Sequence, residues 1–337
     1  MNTAMDKLAR FRRKREQTTP AVPRQLDVKS AFARYGALLG FIIMLAVFSA
    51  LRPDVFPTYR NALSILSQIS LLGIIAGGVT AVLVMGDFDL SIGAQATFAG
   101  LLVAGLFPIM HPALAIALTL LVGIGIGLVN GVLIAYVRIS SFVGTLAMST
   151  ILTGMAYWYT KGATLFKGIP QGFVGLARNT FLSIPILVWL MGCVLLILHI
   201  LLNHTELGRR MYAVGGNPEA ARYSGISIPF QRITGFMISG FCSSLTGILL
   251  VARLSSAQPR AGDGFLMDAF AAVFLGAATA KLGQFHIPGT LMGALIIGVA
   301  LNGMTIAGAP FYFQYIFQGG ILALAVAASG ILRRRAL

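Results

Sequence analysis

Seven stretches of this 337-residue chain contain no Asp, Glu, Lys or Arg: Tyr35 to Leu51, Asn61 to Gly86, Leu90 to Val137, Ile139 to Thr160, Asn179 to Thr205, Ile233 to Ala252 and Leu282 to Leu332. They run to 17, 26, 48, 22, 27, 20 and 51 residues, where one helical bilayer crossing takes about 20. In hydrocarbon every backbone N–H and C=O must be bonded internally, which a long apolar run achieves as a helix. The expected fold is an all-α polytopic membrane protein. With 57% hydrophobic and 10% charged residues, against roughly a quarter charged in ordinary soluble domains, a soluble globular fold is excluded.

Two runs are long enough for two crossings and carry a break. Phe107-Pro108-Ile109-Met110-His111-Pro112 divides the 48-residue run, and Gly308-Ala309-Pro310 divides the 51-residue run near residues 307–312, because proline removes a backbone donor and glycine and proline favour turns. A weaker segment, 265–280, carries Asp268 near its start and reads as short, tilted or re-entrant. The total is about ten transmembrane helices. With both termini cytoplasmic, 18 Lys and Arg lie on the cytoplasmic side and seven outside, as the accumulation of basic residues in cytoplasmic loops demands. The same bias accounts for the net charge of +15 without nucleic acid, since the basic residues are spread between apolar runs and form no soluble face.

Residues 1–34 hold nine Lys and Arg together with Pro20 and Pro23 and are expected to form a disordered, basic cytoplasmic tail, with 35–337 as the membrane domain and its first helix retained as an anchor. Cys193 and Cys242 fall singly in apolar runs and indicate neither a disulfide framework nor a metal site. His111, His199, His204 and His286 are too scattered for a metal-ligand set. Gly123, Gly127 and Gly131, and Gly289 and Gly293, are spaced by four, a pattern that lets helix backbones approach closely in lipid.

Polar residues within or beside the runs admit two roles. Asp87, Asp89 and Ser91 lie at one boundary, where Asp89 or Ser91 can cap the third helix or a carboxylate at membrane depth can face a transport path. Asp268 poses the same choice for the eighth segment. Gln95, Asn130, Thr145, Asn302, Gln314 and Gln318 can bridge helices or offer exchangeable hydrogen bonds to a substrate's hydroxyls. Asp89, Ser91, Thr145, Asp268 and Asn302 are the candidate pathway residues.

The longest polar insertion, 203–231, is predicted to be cytoplasmic, after six crossings. In Gly215-Gly216-Asn217-Pro218-Glu219-Ala220-Ala221-Arg222-Tyr223-Ser224-Gly225-Ile226, Asn217 suits an N-cap, Pro218 the first helical position, Glu219 the positive end of the dipole and Gly225 the helix stop. A compact helix outside the membrane reads as a surface connector or a docking element.

That stretch resembles a known family. Glu219-Ala220-Ala221-x-x-x-Gly225 is similar to the EAA-x-x-x-G loop of importer permeases of the ATP-binding-cassette class, and its surroundings resemble the ribose/xylose/arabinose/galactoside branch. Gly86-Asp87-Phe88-Asp89-Leu90-Ser91-Ile92-Gly93 resembles that branch's G-x-x-D-L-S-x-G signature, and Asp268 to Gly276 followed by Asn302-Gly303 its carboxy-terminal pattern. The glycine-rich turn usual after Gly276 is replaced here by Ala277-Ala278-Thr279-Ala280-Lys281. The resemblance implies an inner-membrane permease for a pentose, hexose or related polyol. Its implied partners are a separate ATPase subunit, an extracytoplasmic sugar-binding protein and a second permease chain, in a lipid bilayer. Asn217, Glu219, Ala220, Ala221, Arg222 and Gly225 would form the coupling helix that sits in a cleft of the ATPase. No Gly-x-x-x-x-Gly-Lys-Ser/Thr phosphate loop occurs, so no nucleotide or other cofactor and no catalytic residue is expected in this chain. The alternative is an ion-coupled secondary transporter in which Asp89 or Asp268 binds the ion.

Overall fold

A computed structural model describes residues 28–278 and 283–335; the first 27 residues, most of the expected tail, and Lys281 lie outside them. The elements are α1 (Val28–Leu51), α2 (Tyr59–Leu83), α3 (Ile92–Leu106), α4 (Pro112–Val132, continued by a π-helical turn Leu133–Val137), α5 (Ser141–Thr160), α6 (Gln171–Arg178), the strands β1 (Thr180–Phe181) and β2 (Ile184–Pro185), α7 (Ile186–His204), α8 (Glu206–Gly216), α9 (Pro218–Tyr223), α10 (Ile228–Leu254), α11 (Asp263–Ala277), α12 (Ile287–Ile306) and α13 (Phe311–Arg335). Helices α2, α4 with its π turn, α7, α10 and α12 are each long and apolar enough to cross a membrane. The all-α reading therefore holds. Helix α1 already includes residues 28–34, which were expected to be part of the disordered tail, and 179–185 form a hairpin ahead of α7.

The breaks fall where the prolines require. His111 caps α4, its Nδ1 accepting from the Ala113 N–H at 3.3 Å, and Pro112 opens the helix. Gly308 takes φ 77° after α12, a left-handed conformation that glycine adopts at little cost.

Helices α2 and α10 form the centre, with 83% and 78% of their apolar windows buried, against 22% for α4 and 28% for α7. Glycine sets the contact distances. On α4, Gly123 faces Ser244 and Gly240, Gly127 the Phe236 carbonyl and Gly131 Ile233, so this stripe packs α4 on α10 within one chain. Gly293 of α12 meets the Ala272 carbonyl of α11 in the same manner. Thr80 and Thr290 join α2 to α12 by a 2.7 Å hydroxyl pair.

Each central helix is followed by an irregular linker and a 15-residue helix, α3 after α2 and α11 after α10. The two linkers enter from opposite ends. Asp89 reaches Ser239, about 16 Å along α10 from its start at 1.5 Å per residue. From the other end the 255–262 linker folds back until the Gly262 N–H donates to Thr97 Oγ1 at 2.9 Å. The Gly93 and Gly262 backbones touch, and a Cβ built on Gly93 would lie 2.8 Å from the Gly262 carbonyl oxygen. The amino-terminal ends of α3 and α11 thus meet at the buried Gly93 and Gly262.

The alternate loops gather accordingly. One end joins 84–91 to α8, α9 and the starts of α5 and α10: Gly215 fits against the Val84 carbonyl and the Phe88 N–H bonds Ser141 Oγ at 3.1 Å. At the other, Tyr59 Oη donates to the Ser183 carbonyl, Arg178 to Ser255 Oγ, and Leu165 pairs with Ala257.

Candidate functional site

The segment Asn217 to Ile226 folds as its residues suggest. Asn217 Oδ1 accepts from the Ala220 N–H at 3.0 Å and Pro218 occupies the first helical position of α9. The Ile226 N–H reaches the Ala221 carbonyl and the Gly225 N–H the Arg222 carbonyl, both at 3.0 Å, while Gly225 takes φ 78°. Those paired bonds are a Schellman stop. Ala221 is buried, whereas Asn217, Glu219, Ala220, Arg222, Gly225 and Tyr223 are exposed, Tyr223 at 92%. Behind them, Tyr212 of α8 donates to the Phe285 carbonyl at 2.8 Å, and burial pushes its phenol pKa up.

After α9, α10 carries two polar contacts to the 84–91 linker. Arg232, in the first turns of α10, lies 2.8 Å from Asp87 Oδ2, a close charge contact without hydrogen-bond alignment. One face further along α10, Ser239 Oγ donates to Asp89 Oδ2 at 2.7 Å. Asp89 Oδ1 accepts from the Ser91 N–H at 3.0 Å and from Ser91 Oγ at 2.5 Å, and Ser91 Oγ accepts from Asn130 Nδ2 at 3.0 Å. Thr145 Oγ1 accepts from the Leu90 N–H at 2.9 Å. Gln95 Nε2 donates to the Gly123 and Gly240 carbonyls. Asp89, Ser91, Thr145, Gln95 and Asn130 are all buried. The structure thus joins Asp89 and Ser91 to Ser239 and Asn130 in one buried network, with Thr145 on the intervening Leu90 backbone and Asn130 Oδ1 and Gln95 Oε1 left without partners among the described residues. Ser91 sits at the N-cap of α3 without a capping side-chain bond; Asp89 holds its N–H instead.

Asp268 and Asn302 stand apart from that network. Asp268 lies in the second turn of α11, which begins at Asp263 with Gly262 as its N-cap, so the capping role considered for Asp268 does not arise. Asp268 Oδ1 and Asn302 Oδ1 are buried and bond to no partner among the described residues.

Two cavities flank these groups. One of about 720 Å3 lies beside α9, with Asp87, Arg138, Ser141, Arg222 and Arg232 in its walls. The other, about 320 Å3, opens between α3, α5 and the start of α11, with Ser149, Thr153, Tyr157, Arg260 and Asp263 as its polar lining. Sequence reasoning passed over these five. Ser149, Thr153 and Tyr157 do recur every four residues, one helical face, but Arg260 and Asp263 read as loop charges until the linker folds inward. No cluster of three or more metal-ligating side chains occurs among the described residues.

A family profile described as "Branched-chain amino acid transport system / permease component" matches residues 61–326. The ribose import permease protein RbsC of Escherichia coli (strain K12) is 39% identical over 309 residues, covering 90% of this chain and 95% of that protein. The L-arabinose ABC transporter permease protein AraH of Azospirillum brasilense is 34% identical over 294 residues, 87% of this chain and 86% of that one. The D-allose transport system permease protein AlsC of Escherichia coli (strain K12) is 33% identical over 303 residues, 89% and 93% of the two chains. No solved structure matches significantly. With that coverage, and with the signatures carried by 86–93 and 217–225 in place, the chain belongs to the family of transport-system permease components, in the group of permease subunits of ABC sugar importers.

Proposed function

We propose that this chain carries a pentose, hexose or related polyol inward across a bacterial inner membrane, driven by ATP hydrolysed on a separate subunit. The observation that carries the reading is the capped, exposed α9 with its inward connection. Arg222 is on α9, α10 follows within five residues, and Arg232 and Ser239 of α10 hold Asp87 and Asp89. A push on α9 by an ATPase subunit would therefore move α10 and the linker into α3 as a unit, since charge contacts and buried hydrogen bonds resist separation. Ten crossings with both termini cytoplasmic, residues 1–34 as a cytoplasmic tail, a second permease chain and an extracytoplasmic sugar-binding protein complete the proposed assembly.

The sugar assignment rests on relatives named for ribose, arabinose and allose, closer matches in kind than the family description's branched-chain amino acids. An ion-coupled mechanism is poorly supported at Asp89, which has three donors on its carboxylate, and would have to rest on Asp268, whose Oδ1 bonds to no partner among the described residues.

The test is uptake of labelled D-ribose, L-arabinose and D-allose by proteoliposomes holding the permease, its ATPase and its binding protein. Uptake should require ATP and survive collapse of the ion gradients. Uptake that follows the gradient without ATP would establish the secondary-transport reading instead.

A further inference from the structure

Arg260 and Asp263 form an ion pair at 2.6 Å, yet their side chains remain 67% and 42% exposed. The pair flanks Gly262, whose backbone is bonded to Thr97 and pressed on Gly93 inside the molecule. It lines the 320 Å3 cavity with Ser149, Thr153 and Tyr157 of α5, which lie about 12 to 24 Å along that helix at 1.5 Å per residue. A charged pair that lines a cavity between membrane helices is found facing a partner or a water-filled path, because facing hydrocarbon is costly.

From this the geometry points to a substrate-binding station: the cavity between α3, α5 and α11 holds a single sugar in transit, with Asp263 accepting from and Arg260 donating to its hydroxyls. The inference rests on the importer reading and extends it to the residues that touch the cargo. Tyr157, Thr153 and Ser149 add hydroxyls along one wall, and Leu90, Ala94 and Leu266 give apolar surface for the C–H face of a ring. The volume is at the lower end of small-molecule pockets, roughly 300 to 1,000 Å3, and suits one monosaccharide. Guanidinium and carboxylate hydrogen bonds are charge-assisted and directional, so this pair sets preference among polyols that differ in hydroxyl orientation. An amino-acid zwitterion could also meet an Arg and an Asp; the row of three hydroxyls favours a polyol.

The experiment uses the reconstituted complex and whichever of D-ribose, L-arabinose and D-allose gives the fastest wild-type ATP-dependent uptake. Tyr157→Phe and the double variant Arg260→Gln/Asp263→Asn, which leaves no lone charge, are expected to raise KM roughly tenfold, and to change the ratio of uptake among the three sugars, because a site that loses a hydroxyl partner loses discrimination. Arg260→Lys, which keeps the charge and loses the fork, should fall between. Tyr159→Phe, turned against Gly105, should leave KM unaltered. As an independent arm, Thr153→Cys in a Cys193→Ser background, Cys242 being buried, should react with an impermeant thiol reagent, and the sugar should slow that reaction. Unaltered KM and sugar preference in the Tyr157 and Arg260/Asp263 variants, an unreactive Cys at 153, or inhibition by L-leucine matching that by sugar would overturn the station. Failure of wild-type protein to take up any of the three sugars with ATP would remove the importer reading and this inference with it.

Discussion

Ser239 donates to the Asp89 carboxylate at 2.7 Å across 150 residues of sequence. That bond fixes the linker before α3 to the middle of α10, seven residues beyond Arg232, which holds Asp87. Two carboxylates two residues apart on a linker therefore grip one face of a helix that begins just after α9.

Replacing Asp89 by Asn should be tolerated in assembly and leave most uptake. The Asn Oδ1 can still accept from Ser91, and the Ser239 hydroxyl can turn to accept from Nδ2. Asp89→Leu should cost about 1–3 kcal/mol for each buried donor left unpaired. Thermal melting and uptake of the two variants check this; an Asn variant that melts normally, binds its ATPase and transports nothing would place Asp89 in the transport path.

Asp87→Asn and Arg232→Gln should each weaken transport and lower stability by about 1–3 kcal/mol, the partly exposed arginine moderating the cost of a broken buried pair. The exchange Asp87→Arg/Arg232→Asp should restore part of the loss. Uptake and ATPase stimulation by the binding protein, measured for both singles and the exchange, decide it: no recovery in the exchange would show that the contact is not what links α10 to the linker.

Gly225→Leu should leave the chain inserted but uncoupled. A branched side chain at φ 78° costs roughly 1–2 kcal/mol in the Schellman stop, although nothing lies within 4 Å of a Cβ built there. Glu219→Lys places the wrong charge at the amino terminus of α9, worth about 0.3–1 kcal/mol. Both costs are too small to unfold the chain, so any large loss of ATPase stimulation or of ATPase capture on a pull-down reports docking. Full stimulation and capture in both variants would remove α9 as the coupling element.

Gly127→Val and Gly125→Val should differ sharply although only one residue separates them. A Cβ on Gly127 would collide with the Phe236 backbone, while one on Gly125 meets nothing within 4 Å. The first should cost about 1–3 kcal/mol or more in overpacking, and the second only helix propensity. Yield and melting temperature of the detergent-purified chains are the measurements; equal effects would mean that α4 and α10 are not held at the glycine stripe.

Helix positions, breaks and the punctuation of α9 were legible in the sequence because each depends on local physics: uncharged length for a membrane helix, proline and glycine for stops, and Asn217, Pro218 and Gly225 for caps. The glycine stripe announced a close contact on the same grounds, without saying that its partner would be α10. The inward fold of the 84–91 and 255–262 linkers was not legible. It depends on Asp89 finding Ser239 and on Gly93 meeting Gly262, pairings between residues 150 and more apart that no local rule encodes. For that reason Asp89 and Ser91, which read as helix caps or pathway groups, join a buried network with Ser239 and Asn130, while Arg260 and Asp263 come to line a cavity. Local composition determines where this chain is helical and where it turns; which polar groups are consumed in holding the helices together and which remain open to a passing ligand is decided only when the helices pack, because each buried donor or acceptor must find its partner in another segment.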